Sequence, residues 1–326
     1  MIKIFKNLNN DVMQEMPAIL EKSWIDLVNP TDDEVEQVSF VTGISEDMIK
    51  AALDEEETAR SEVDEGNTIF IVDIPVLEEG ENSFVYSTLP MSVIYNNKYI
   101  VTVSLKENSI IKDLISGRIK DNSTERPVKF LLNFLYKNAS RFLQYLKQID
   151  KTSHRVQAEL HRSMKNKELI QLLDLENSLV YFSTSLTANE KVFERIDKIE
   201  QVHKNEDYQD LFEDVLIENK QAIEMCNIYR DILSGTMDAF ASVISNNVNI
   251  VMKMLTVITI IITIPTLIAS LWGMNVPVPF QNSKYGFFIV VGLAVLLTTC
   301  GALYLIKSTN SIKTTSIKTN KGRKKQ

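Results

Sequence analysis

Asn249, Met252, Thr256, Thr259, Thr263, Thr266 and Ser270 recur at spacings of 3, 4, 3, 4, 3 and 4. At about 3.6 residues per turn these positions share one face of one helix. All but Met252 are polar, yet most of the face lies inside Met254–Trp272, a run without Asp, Glu, Lys, Arg or His. The branched aliphatics at 257, 258, 260, 261, 262 and 264 fall off it. Two chemistries suit neutral oxygens so arranged. Hydroxyls can bond their own backbone and let two helices approach closely, which makes a packing seam. They can also line a water-accessible path, offering oxygen to a hydrated ion without holding it too tightly to release. Continuation through the whole run favours the lining, because a seam rarely needs five hydroxyls. One hairpin cannot enclose a pore, so that reading also predicts a homo-oligomer with this helix repeated around an axis. Met252 and Leu255, at one end of the face, are candidates for a narrow dewetting constriction, with ordinary packing as the alternative. Pro265 removes one backbone hydrogen bond near mid-run, which predicts either a kink or rescue of the freed carbonyl by a Thr hydroxyl.

The elements that position this face are two apolar runs. At about 1.5 Å per residue, Met254–Trp272 is long enough to cross a hydrocarbon core of about 30 Å. Tyr285–Ile306 is equally free of charge, and the loop between the runs opens on Gly273-Met274-Asn275. Charge divides at the same place. Residues 1–238 hold all 43 acidic residues against 26 basic ones, a net −17, whereas residues 239–326 hold nine basic residues and no acidic one. The basic tail Lys307–Gln326 follows the second run directly, so the positive-inside bias places it in the cytoplasm. Two spans then return the N-terminal domain to the same side, and Met1–Lys6 opens no secretory signal. The expected location is the inner or plasma membrane, multi-pass, with both termini cytoplasmic. Cys226 and Cys300 are expected to stay unpaired, as suits a reducing compartment. An acidic domain beside a membrane points to cations rather than nucleic acid.

Residues 1–125 read as an α/β domain. Thr68–Pro75 is a compact apolar strand, and Met91–Tyr95 with Tyr99–Leu105 form a hairpin turning at Asn96-Asn97-Lys98. The stretches Asp32–Val41 and Glu46–Leu53 read as short helices. Pro127 marks a change, because from Val128 to Ile264 there is no proline and Gly235 is the only glycine. Very long helices are expected there, a stalk over 126–249, with breaks at Asp150–Ser153, Ser185–Glu190 and His203–Asp207. The last helix is expected to run unbroken from near Tyr208 into the first span. A transmembrane hairpin over 250–306, with spans 254–272 and 285–306 and an outer loop 273–284, then precedes the tail at 307–326. The fold class is thus an α/β domain, long helices and a two-helix membrane hairpin.

No residue set supports an enzyme: there is no Ser-His-Asp arrangement, no phosphate-cradling glycine loop and no CxxC. His154 and His161 are seven apart, whereas a helical metal pair needs three or four. The basic tail could meet anionic lipid, although a topogenic role accounts for it more simply.

Trp272-Gly273-Met274-Asn275, closing the first of two C-terminal spans, resembles the signature of the CorA family of magnesium channels. Its position gives a short motif specificity. Asn249 with Val251–Thr256 is similar to the family's sequence at the inner end of the pore. Tyr208–Glu218 and Tyr229–Asp238 resemble the long pore-helix segments. The likeness covers residues 205–306 well and the N-terminal half in architecture. It implies a homopentamer in a lipid bilayer whose first span lines a pore for divalent cations: Mg²⁺, with Co²⁺ and Ni²⁺ as further candidates. Five Gly273-Met274-Asn275 loops would form the outer mouth, Gly273 permitting a tight turn and Met274 anchoring the loop by packing. Mg²⁺ sheds water reluctantly, and Asn275 amide oxygens can hydrogen-bond its water shell without stripping it. Asn249, Thr256, Thr259, Thr263 and Thr266 would pass the hydrated ion on, with Met252 and Leu255 as the gate.

The resemblance also implies regulatory Mg²⁺ held between subunits by Asp214, with Glu46, Asp47, Asp54 and Glu55 as candidate partners. The family's usual partner position reads Lys50-Ala51 here, and a solvated helix end is the plainer account of the acidic cluster. The outer loop, Val276-Pro-Val-Pro-Phe280, carries no carboxylate, unlike the best-known bacterial members. Two alternatives remain beside the channel. One is a proton-coupled zinc transporter of the same fold, against which Met274 counts, since zinc relatives typically carry Val there. The other is a membrane-anchored coiled-coil scaffold with no transport.

Overall fold

The computed structural model describes residues 1–326 apart from 9–11, 80–83, 117–118, 120–121, 164–165, 280–283 and 323–326. Side chains at 8, 12, 79, 84, 163 and 305–322 also lie outside the description. The chain forms two compact units, Met1–Met237 and Asp238–Gln326.

The first unit is built on a seven-stranded sheet. Its strands are β1 (Ile2–Leu8), β2 (Val12–Glu15), β3 (Ser23–Val28), β4 (Arg60–Asp64), β5 (Asn67–Glu79), β6 (Phe84–Tyr95) and β7 (Tyr99–Ser104), in the order β2-β1-β3-β7-β6-β5-β4. Only β3 and β7 are parallel, Ser23 facing Tyr99 and Val28 facing Ser104; every other pairing is antiparallel. The β6–β7 hairpin turns where the sequence predicts. There the Asn96 side-chain oxygen accepts from the backbone N–H of Lys98 and of Tyr99, both at 2.9 Å.

Side chains alternate across a strand, so a sheet with both faces covered must be apolar on both. On β5, Ile69 and Ile71 join one core with Val35, Val38 and Ile49. Phe70, Val72 and Ile74 join the other with Phe130, Phe134 and Phe193. The first core lies under α1 (Asp32–Thr42) and α2 (Glu46–Lys50), followed by a single 3₁₀ turn at Ala51–Leu53. Thr31 and Glu34 form a capping box at the start of α1. Gly43 closes that helix with φ 73°, a left-handed conformation that glycine adopts without a Cβ penalty.

The second core lies under α3 (Ser109–Ile115), α4 (Pro127–Ser163), α5 (Asn166–Ile196), the short α6 (Glu200–Lys204) and the start of α7 (Glu206–Trp272). Two of the three expected helix breaks do not occur, since α4 runs through Asp150–Ser153 and α5 through Ser185–Glu190. The polar residues there serve other ends. Ser153 Oγ donates to the Asp150 carbonyl, and Ser185 Oγ donates to Thr88 Oγ1 on β6 at 2.8 Å. The Asn189 amide donates to the Asp73 carbonyl and accepts from the Asp73 N–H, pairing with one edge of β5 as a neighbouring strand would. The break before Glu206 falls within the expected stretch, and α7 then continues for 67 residues.

The second unit holds the rest of α7 and α8 (Gly286–Gly322). Both helices are long and apolar enough to cross a membrane. Helix α8 continues beyond the second apolar run into the basic tail. Cys226 and Cys300 are both free.

Candidate functional site

Helix α7 carries the whole polar face. Asn249, Met252, Leu255, Thr256, Thr259, Thr263 and Thr266 are all exposed on the isolated chain. Each Thr hydroxyl donates to the carbonyl four residues back: Thr256 to Met252 and Thr259 to Leu255 at 2.9 Å, Thr263 to Thr259 and Thr266 to Ile262 at 2.7 Å. The hydroxyl proton is thereby used, and what each threonine turns outward is oxygen lone pair. The helix runs unbroken through Pro265. Proline has no N–H for the Ile261 carbonyl. Neither adjacent hydroxyl rescues that carbonyl, because Thr263 and Thr266 donate elsewhere.

The half-buried positions of this stretch are Val257, Ile260, Ile261, Ile264, Pro265 and Ile268. At about 100° per residue their mean direction lies roughly 150° around the helix from the threonines. Their counterparts on α8 are small: Val290, Ala294, Thr298, Gly301 and Ala302 are likewise half-buried. A Cβ on Gly301 would stand 3.2 Å from the Ile264 Cδ1 atom, so the helices meet closely there. The seam of the hairpin is aliphatic against small. The threonine face is not part of it.

At the end of α7 the Gly273 N–H donates to the Ala269 carbonyl at 2.9 Å. Gly43 and Gly66 are the described glycines with positive φ, so Gly273 is not needed for a left-handed turn. A Cβ there would stand 3.2 Å from the Ala269 oxygen, a tight contact that a shift of a few tenths of an ångström would relieve. Met274 is 52% exposed on the isolated chain. Asn275 is exposed, and among the described residues nothing hydrogen-bonds its carboxamide. The indole of Trp272 donates to the Pro279 carbonyl at 3.3 Å, closing the loop.

Asp214 and the candidate partner carboxylates are not brought together within one chain. Asp214 is exposed on α7, while its neighbours Phe212 and Val215 are buried in the core on the α4–α5 side of the sheet. Glu46, Asp47, Asp54 and Glu55 are exposed at α2 and the turn after it, on the opposite side. Two of them are engaged. Lys50 Nζ bridges Glu46 at 3.3 Å and Asp32 at 2.9 Å, and this ammonium holds Asp32 below the usual carboxylate range. Asp54 Oδ1 accepts from the Glu56 N–H in its own turn. Among the described residues no group of three or more His, Cys, Asp or Glu could hold a metal ion.

Comparison with known proteins decides the family. A family model described as CorA-like Mg²⁺ transporter protein matches residues 21–307. The chain belongs to this family. It is 30% identical over 283 residues to the cobalt/magnesium transport protein CorA of Methanocaldococcus jannaschii, covering 84% of this chain and 86% of the relative. It is also 34% identical over 97 residues to the Thermotoga maritima protein of the same description, 29% of this chain and 28% of that one. The complete structure of the M. jannaschii CorA magnesium transporter superposes with a TM-score of 0.79 at 24% identity, covering 93% of this chain and 96% of that one, and so shares its fold.

In this CorA-like chain, Trp272 has a task that its place in the motif does not announce. The available signal was an indole donor seven residues before a proline that offers only its carbonyl. The small residues of α8 that meet α7 carry a signal of their own, a three- and four-residue spacing along the second run.

Proposed function

We propose that this chain is one subunit of a homopentameric, passive, gated channel for hydrated Mg²⁺, with Co²⁺ a further substrate and the threonine face of α7 lining the pore. One observation carries the reading. The hairpin packs through the opposite side of α7 and leaves four hydroxyls, each with its proton already spent on the backbone, outside the seam. A hydrated cation turns water O–H groups outward, so a track of acceptors suits its shell and opposes a bare anion. Mg²⁺ can then move without losing water at each step. Asn249 continues the track at one end, Met252 and Leu255 narrow it, and Gly273-Met274-Asn275 forms the outer mouth. With no carboxylate in the outer loop, cations are met there by the Asn275 amide and backbone carbonyls.

The basic tail supports a cytoplasmic placement of both termini, with the α/β domain, the 126–249 stalk and the 250–306 hairpin as successive parts. Regulation by Mg²⁺ would pair Asp214 of one subunit with carboxylates among Glu46, Asp47, Asp54 and Glu55 of another. Proteoliposome uptake tests the lining. Thr259→Val keeps the shape and removes the oxygen, and it should lower Mg²⁺ flux about three- to tenfold, while Thr259→Ser stays near wild type. Equal flux through all three would end the pore reading of this face.

A further inference from the structure

Resting on the reading of the loop as the outer mouth, we propose that Trp272 is a positioning residue for Asn275, its indole clasping the Gly273–Pro279 loop shut. The loop is pinned at both ends. At one end the Gly273 N–H donates to the Ala269 carbonyl, and at the other the Trp272 indole donates to the Pro279 carbonyl. Between the pins stands Asn275, exposed and with no partner for its carboxamide among the described residues. Its position is therefore set by the backbone on either side.

That backbone has few means of holding itself. Pro277 and Pro279 lack the N–H that would bond it to a neighbour, although each still offers a carbonyl. Indole is a donor only and has no competing acceptor role, so it suits a lone carbonyl. Trp272 is also the last helical residue of α7, so the clasp ties the mouth loop to the end of the helix that carries the threonine face. The tie is stiff, because a tryptophan side chain has two rotatable angles. A side chain at Gly273 would meet the Ala269 oxygen at 3.2 Å, so it would crowd the base of the turn from which the indole projects.

Without the clasp the seven-residue loop samples more conformations, and a ring of Asn275 amides must be ordered anew for each ion. The loss should fall on recognition of the hydrated ion more than on passage through the pore. Trp272→Phe keeps an aromatic ring and removes the donor. In proteoliposomes it should raise the half-saturating Mg²⁺ concentration and lower discrimination against Ca²⁺ by about three- to tenfold, with maximal flux within about twofold of wild type. Gly273→Ala, which retains the indole and disturbs its base, should shift the same two quantities.

A general packing defect would lower maximal flux or assembly without altering the Mg²⁺-to-Ca²⁺ ratio. A wild-type ratio in an assembled Trp272→Phe channel would overturn the clasp. Absence of flux in the wild type would instead remove the channel reading itself. An independent readout uses the wild-type chain in detergent, which has two indoles. Trp24 Nε1 donates to Thr102 Oγ1 at 2.8 Å in the buried core and serves as the protected reference. Slowed hydrogen exchange at the Trp272 indole supports the clasp, and exchange as fast as free tryptophan contradicts it.

Discussion

Replacing Asp26 by Asn should make the protein more stable at neutral pH and change nothing in acid. Asp26 lies on β3, 2% exposed. The Thr102 hydroxyl donates to Asp26 Oδ1 at 2.7 Å, while Thr102 itself accepts from the Trp24 indole at 2.8 Å. Burial raises the carboxyl from 3.8 to about 6; the Thr102 hydrogen bond and the nearby Lys3 oppose this and Glu107 adds to it. The native chain thus holds this proton up to about pH 6, whereas the unfolded chain releases it near 3.8. Between those values the native state binds more protons, so its stability falls as pH rises, and above the window the loss is constant. About two pKa units correspond to roughly 3 kcal/mol. In the Asp26→Asn variant the carboxamide keeps the oxygen that Thr102 needs and has no charge to desolvate. The cavity of about 30 Å³ that Asp26 lines together with Glu107 and Asn108 has room for a water to meet the variant's NH₂ group. The advantage of Asp26→Asn should grow from near zero at pH 4 to about 2–3 kcal/mol at pH 7.5, a rise in Tm on the order of 5–10 °C. Thermal unfolding of the full chain in detergent, followed by circular dichroism from pH 4 to 8, measures it. A difference that is flat with pH, or a variant less stable at pH 7.5, would refute the reasoning.

Two further outcomes are expected. Asp214→Ala should raise the internal Mg²⁺ concentration needed for half-inhibition of uptake by about tenfold or more, and unchanged inhibition would remove Asp214 from regulation. Burial pushes the Cys226 thiol up to about 12, and its Sγ donates to the Leu179 carbonyl at 3.1 Å. In a Cys300→Ser background Cys226 should therefore resist a water-soluble thiol reagent at pH 7.5 until the chain is unfolded, whereas labelling at the rate of a free thiol would contradict its buried placement.

The parts of this molecule that are written locally could be read from the residues. Hydropathy over 254–272 and 285–306 and the three-four spacing of the threonines each belong to one segment, as does the paired-asparagine turn at 96–97. The misreadings share one cause. Ser185 and Asn189 resemble a break because polar side chains compete for the backbone, yet their partners are Thr88 and Asp73, about a hundred residues away. The tight turn expected at Gly273 is made without a left-handed backbone, since the described glycines with positive φ are Gly43 and Gly66. Whether the threonine face is a seam could not be decided without the partner helix. Gly301 against Ile264 places the seam of the hairpin elsewhere. Within one chain the sheet stands between Asp214 and its candidate partners, so a site between subunits is not written in either segment alone.

Passage of Mg²⁺ through the loop that carries Asn275 separates the channel from its alternatives. Its most direct test is Mg²⁺ uptake into proteoliposomes loaded with a Mg²⁺-sensitive dye, wild type against Asn275→Ala, with Zn²⁺ and an imposed pH gradient run alongside. Wild-type Mg²⁺ uptake should be indifferent to the gradient and should collapse in the variant. No wild-type Mg²⁺ uptake, or zinc uptake that follows the gradient, would contradict the claim.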